Sequence, residues 1–191
     1  MYNIAIFASG AGTNAQKIID YFKGSDSINI ALVVSSKNNA FVLERAGKNN
    51  IPSLILDKQS FYESQNVLNQ LQEKKINFIV LAGFLWMMPT YLISSFPKRI
   101  INIHPSLLPH FGGKGMYGMK VHEAVIDKHE KQSGITIHYV NEKYDEGTII
   151  FQEKCTVEEM DTPETLAEKI HALEHKFYPE VIEKLLINDL L

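Results

Sequence analysis

Two runs that are apolar at every position, Ile30-Ala31-Leu32-Val33-Val34 and Phe78-Ile79-Val80-Leu81-Ala82, constrain this chain most tightly. A strand with one wet face alternates apolar and polar residues, so strands that do not alternate need cover on both faces, as in a parallel sheet with helices above and below. Apolar runs at 4–8 and 53–56 accompany them, and all four alternate with stretches of helical period at roughly 13–23, 40–49 and 60–75. That order reads as repeated βαβ units. A fifth strand is expected near 99–104. Ile135–Val140 and Thr148–Gln152, joined by the turn-rich stretch 141–147, are expected to add an antiparallel pair. Asp161-Thr162-Pro163-Glu164 supplies a helix cap with proline in the first turn, and the helix should run to about Leu186. The expected architecture is α/β: a Rossmann-like doubly wound, mostly parallel sheet with an antiparallel C-terminal strand pair and a long C-terminal helix, in one domain over 1–191.

Charge and cysteine usage narrow the function classes. A net charge of −3 without a Lys/Arg-rich run argues against a broad nucleic-acid surface. No stretch approaches the ~18 apolar residues that span a bilayer, and no signal-peptide pattern opens the chain, so no membrane partner is expected. Cys155 has no second cysteine to pair with, which suits a reducing, cytoplasmic setting. Arg45 and Arg99 are the only arginines, so an anion site is expected to rely on backbone amides, lysine or histidine.

Four segments carry candidate chemistry. In Ile101-Asn102-Ile103-His104-Pro105-Ser106-Leu107-Leu108-Pro109, the period of two puts Asn102 and His104 on one face of a strand end, and the prolines stiffen the exit. A carboxamide and an imidazole held so suit an oxyanion that forms during a reaction. Ordinary turn residues would look the same. Ser9-Gly10-Ala11-Gly12-Thr13-Asn14 follows the first strand and opens a helix, an arrangement that turns amides toward an anion; a capped β-to-α turn is the alternative. The third glycine of the dinucleotide fingerprint is missing, as is an acid after the second strand, which argues against NAD. Leu85-Trp86-Met87-Met88, just past the strand at 77–82, either lines a pocket for a flat ligand or packs under a short helix. The glycine-rich stretch 112–118 is a lid or a solvent loop. Asp145 lies among acids in a turn and is a surface carboxylate unless the fold carries it to His104. The remaining histidines, among them His171 and His175 one helical turn apart, show no metal-ligand spacing, and no metal is expected.

Taken together, the Gly10–Asn14 loop, Leu81-Ala82-Gly83-Phe84, the Asn-x-His-Pro-Ser-Leu-Leu-Pro motif and the turn from His138 to Asp145-x-Gly147 resemble the folate-dependent formyltransferases, in order along nearly the whole chain. The glycine loop resembles their glycinamide ribonucleotide branch. The resemblance implies transfer of a formyl group from 10-formyltetrahydrofolate to the amine of glycinamide ribonucleotide in purine biosynthesis, with no metal. It implies Asn102, His104 and Asp145 as the catalytic trio, with protonated His104 and Asn102 at the oxyanion and Asp145 supporting the imidazolium. It further implies Gly10, Ala11, Gly12, Thr13 and Asn14 at the substrate phosphate, Glu174 at the ribose, and Leu85, Trp86, Met87, Met88, Val140, Asn141 and Tyr144 around the pterin.

Departures from the family pattern touch the folate end. Trp86 and Met87 stand where a smaller or basic residue is expected, and no arginine lies near Tyr62–Gln65 for the folate glutamate tail, leaving Lys58 or Lys114 as substitutes. Within the same superfamily, a 10-formyltetrahydrofolate hydrolase or a formyltransferase acting on another amine, such as an amino sugar nucleotide, shares the trio. A non-catalytic nucleotide-binding module is the reading from a different class. The chain leaves its oligomeric state open, a homodimer included.

Overall fold

The computed structural model describes residues 1–187. Seven strands form one sheet: β1 (Tyr2–Phe7), β2 (Ile28–Ser35), β3 (Ser53–Ile55), β4 (Phe78–Leu81), β5 (Ile100–His104), β6 (Gln132–Tyr139) and β7 (Ile149–Thr156), in the order β3-β2-β1-β4-β5-β6-β7. The first five run parallel, whereas β6 pairs antiparallel with β5 and β7 antiparallel with β6. This is the expected doubly wound arrangement with its antiparallel extension. The order reverses between β1 and β4, and in such sheets ligands bind beyond the carboxyl ends of the strands at that reversal.

Helices cover both faces. α1 (Thr13–Tyr21), α2 (Phe41–Lys48), α6 (Met119–Asp127) and α7 (Pro163–Ile187) bring Ile18, Val42, Val125 and Ile182 onto the face that carries Ile4, Ile6, Val80, Ile101 and Ile103. α3 (Lys58–Glu63), α4 (Asn66–Glu73) and α5 (Thr90–Ser95) bring Phe61, Leu71 and Leu92 onto the opposite face with Ala5, Phe7, Ile79 and Leu81. Consecutive residues of β1 thus enter different cores, which is why its apolar run does not alternate. α7 starts at Pro163 and is pinned to the sheet by Tyr178, fully buried, whose hydroxyl donates to the Leu81 carbonyl at 2.9 Å. A buried hydroxyl left without that acceptor would cost ~1–3 kcal/mol, so the bond fixes where α7 crosses β4.

Two details differ from the sequence reading. The helical stretch at 60–75 is two helices, because Ser64 takes an extended backbone (φ −134°), bonds back to the Ser60 carbonyl through its hydroxyl and accepts from the Asn66 amide. A serine hydroxyl that competes for backbone groups ends helices in this way. The short helices α5 and α6 were not expected from periodicity; each is under three turns, too short for a repeating apolar stripe to stand out.

Candidate active site

β5 delivers Asn102 and His104 on the face that sends Ile100 into the core. Register then decides their neighbours. Asn102 stands opposite Leu81 of β4 on one side and opposite His138 of β6 on the other. The Asn102 Nδ2 lies 3.2 Å from His138 Nε2 and 3.5 Å from Asp145 Oδ1. His138 Nδ1 is 2.8 Å from the Tyr139 carbonyl, an acceptor, so that nitrogen carries the proton and Nε2 is free to accept from Asn102. His138 therefore fixes the Asn102 carboxamide. In the sequence it marks only the start of the turn that runs to Asp145, and it was not placed among the site residues.

His104 is 4 % exposed. Its Nε2 donates to the Phe111 carbonyl at 2.8 Å, and its Nδ1 faces Asp145 Oδ2 at 3.5 Å. Asp145 also accepts from the Gly113 amide at 2.9 Å. Phe111 and Asp145, which grip the imidazole from its two nitrogens, both adopt a left-handed backbone near φ +55°. Such conformations are sparsely populated by non-glycine residues and persist where surroundings hold them. The turn that carries Asp145 lies flat on the end of β6 because Gly147 has no side chain; a Cβ there would overlap the Tyr139 carbonyl oxygen.

Electrostatics divide the trio. Burial lowers the His104 pKa below its ordinary value, and His138 adds to this; Asp145 and the Phe111 carbonyl pull the other way without overcoming it. Burial pushes the Asp145 carboxyl up, but His138, His104 and the Gly113 amide together hold it below the usual carboxylate range. The two groups are coupled: the Asp145 carboxylate favours a charged His104 ring and a charged ring favours the carboxylate, while burial opposes the charge of both.

Beyond β1 the backbone turns through Gly12 (φ +69°), and a Cβ there would sit 2.5 Å from Val42 Cγ2. Asn14 donates through Nδ2 to Glu174 Oε2 of α7 at 2.9 Å, and its Oδ1 is buried without a partner among the described residues. Glu174 is buried, which raises its pKa against the pull of Asn14 and His171. Arg45 of α2, set apart from the site in the sequence reading, reaches the glycine loop and donates through Nε to the Ala11 carbonyl at 2.8 Å.

All these elements open on one cavity of 670 Å³, lined by every residue expected at the trio, the glycine loop, the pterin stretch and Glu174. Leu85 is exposed at its mouth, whereas Met88 is buried and also serves the core. Trp86 leans on Phe61 and Phe84 at ring distances of 5.7 and 6.2 Å. This segment therefore both lines the cavity and packs on the core, and Met88 and Trp86 do both. The stretch from Gly113 to Gly118 lines the cavity and brings Lys114 to it, as does His122 of α6, whose pKa burial lowers to about 4. Lys58 is not among the lining residues. Among the described residues no three His, Cys, Asp or Glu side chains gather as metal ligands, and no helix is long and apolar enough to cross a membrane.

Residues 2–182 match the formyl transferase family. The chain is 43% identical to the chloroplastic phosphoribosylglycinamide formyltransferase of Arabidopsis thaliana over 94% of its own length and 63% of that protein. It is 39% identical to the phosphoribosylglycinamide formyltransferase of Bacillus subtilis, over 97% of this chain and 95% of that one. It therefore spans about three fifths of the plant relative and nearly all of the bacterial one. The crystal structure of phosphoribosylglycinamide formyltransferase from Bacillus halodurans superposes with a TM-score of 0.87 at 44% identity, covering 96% of this chain and 95% of that one.

Proposed function

This chain belongs to the formyl transferase family, and from that membership we propose that it transfers a formyl group from 10-formyltetrahydrofolate to the primary amine of glycinamide ribonucleotide in purine biosynthesis. The observation that carries the proposal is the single cavity in which the Asn102, His104 and Asp145 cluster and the glycine loop share the walls. A phosphate at the loop and a pterin against Leu85–Met88, Val140, Asn141 and Tyr144 would hold amine and formyl carbon between them, converting an encounter into an intramolecular step.

In this mechanism His104 enters the step as the neutral imidazole, the form its lowered pKa favours. The amine attacks the formyl carbon, a C–N bond forms and negative charge gathers on the formyl oxygen. Asn102 donates to that oxygen through Nδ2, whose orientation His138 maintains. As the attacking nitrogen becomes acidic, its proton passes to His104 Nδ1, since Nε2 is committed to Phe111. The new imidazolium is stabilised by the Asp145 carboxylate at 3.5 Å. Collapse breaks the bond from the formyl carbon to the folate nitrogen, which takes the proton back from His104. The products are the N-formyl ribonucleotide and tetrahydrofolate, and the site returns to its resting charge.

Incubation with 10-formyltetrahydrofolate, with and without glycinamide ribonucleotide, tests the assignment. Release of tetrahydrofolate only when the amine is present is the expected result. Release without it would identify a hydrolase, and no release in either case would leave a binding module.

A further inference from the structure

We infer that Arg45, outside the cavity and on α2, a helix that supplies none of the cavity's lining residues, is the positioning residue that turns the glycine loop into a phosphate site. The inference rests on the reading of the loop as the ribonucleotide phosphate subsite and goes beyond it by naming what sets the loop's polarity.

The argument is one of peptide geometry. A trans peptide points its carbonyl and its N–H in opposite directions. The Val42 amide of α2 donates to the Gly10 carbonyl at 3.2 Å, and Arg45 Nε, one turn further along the same helix, donates to the Ala11 carbonyl at 2.8 Å. Two successive carbonyls are thus drawn to the α2 side of the loop. The N–H groups of those two peptides, Ala11 and Gly12, are turned to the other side, where both residues line the cavity. No backbone carbonyl among the described residues accepts from either. Successive free amides on one side of a turn form an anion-binding concavity, and a carbonyl swung into it would oppose the anion.

Arg45 is itself held in place. Its guanidinium lies over the Phe41 ring at 5.0 Å, and Gly12 packs on Val42 so closely that no side chain fits between loop and helix. The guanidinium sits behind the loop, so its full charge also favours an anion in front of it. Lysine would keep the charge but not a planar Nε–H, so the two contributions separate by substitution.

The test compares wild type with R45M and R45K on glycinamide ribonucleotide and on its phosphate-free riboside, after thermal melts establish that each variant folds. For R45M, the KM of the ribonucleotide is expected to rise roughly tenfold or more, the scale of one charge-assisted hydrogen bond. The KM values of the riboside and of 10-formyltetrahydrofolate should stay within about twofold, and R45K should recover part of the loss. An equal penalty on both amine substrates, or no change in the ribonucleotide KM, would overturn the role of Arg45. Wild type inactive on the ribonucleotide would instead sink the functional reading. In that case, inorganic phosphate titrated by calorimetry into wild type and R45M decides the role of Arg45 alone, equal affinities refuting it.

Discussion

The two ends of the cavity are built by opposite means. At the glycine loop, five consecutive residues line the wall, the Ala11 and Gly12 amides have no backbone acceptor among the described residues, and α2 holds the loop from behind. At the trio and its neighbour His138, side chains converge from β5, from β6 and from the turn before β7, and the backbone matters through the carbonyls of Phe111 and Tyr139 and the amide of Gly113. The first kind of site tolerates changes of side chain but not of backbone. The second fails by loss of a single side-chain atom.

Substitutions at each end sharpen that contrast. The largest effect is expected at the trio: Asn102→Ala removes the oxyanion donor and should lower kcat by roughly 10²–10³, ~2.7–4 kcal/mol. Both KM values should change little, and an unchanged kcat in steady-state assays would remove Asn102 from the mechanism. At the loop, Gly12→Ala meets both a left-handed backbone and the Val42 side chain. A stability loss of about 2 kcal/mol, seen as a Tm roughly 4–8 °C lower, should accompany a raised ribonucleotide KM. A variant that melts like wild type would show that the loop accommodates a side chain after all.

A smaller effect separates donor from positioner. His138→Phe deletes the acceptor for Asn102 and should lower kcat about tenfold, ~1.4 kcal/mol, with both KM values kept. A loss as large as that of Asn102→Ala would instead put His138 in contact with the reacting groups. The mildest probe is pH. Because His104 must be neutral to take the amine's proton and its pKa lies below 6.5, kcat at saturation should fall as pH drops beneath that value and stay level above it. A kcat that falls as pH rises through 6–7 would mean that the imidazolium is the working form. The substrate amine, with an ordinary α-amino pKa of ~7.7–8.0, would add a separate rise visible only in kcat/KM.

The same contrast governs what could be read in advance. The glycine loop was legible because its members are contiguous and their conformational demands are local. Asn102 and His104 were legible as a pair because a strand's period of two is local as well. His138 was not, since nothing in its own strand says which residue of β5 it will face; that is a matter of register. Arg45 was set aside for the same kind of reason: it lies 34 residues from Ala11, and only the crossing of α2 over the loop joins them. The split of 60–75 into two helices turned on one serine, whose competing hydroxyl a periodicity argument does not weigh.

By itself, then, the order of residues determined the layered α/β plan, the shared face of Asn102 and His104 at the end of β5 and the glycine turn after β1. Each follows from spacing over a few residues, and the motifs together carried the resemblance to the formyltransferases. Tertiary structure alone decided the 3.5 Å approach of Asp145 to His104, the orientation of Asn102 by His138, the grip of Arg45 on the loop and the burial that lowers the His104 pKa. Those depend on strand register, on a glycine close enough to β6 to exclude a side chain, and on burial, quantities that exist only once distant parts of the chain have met.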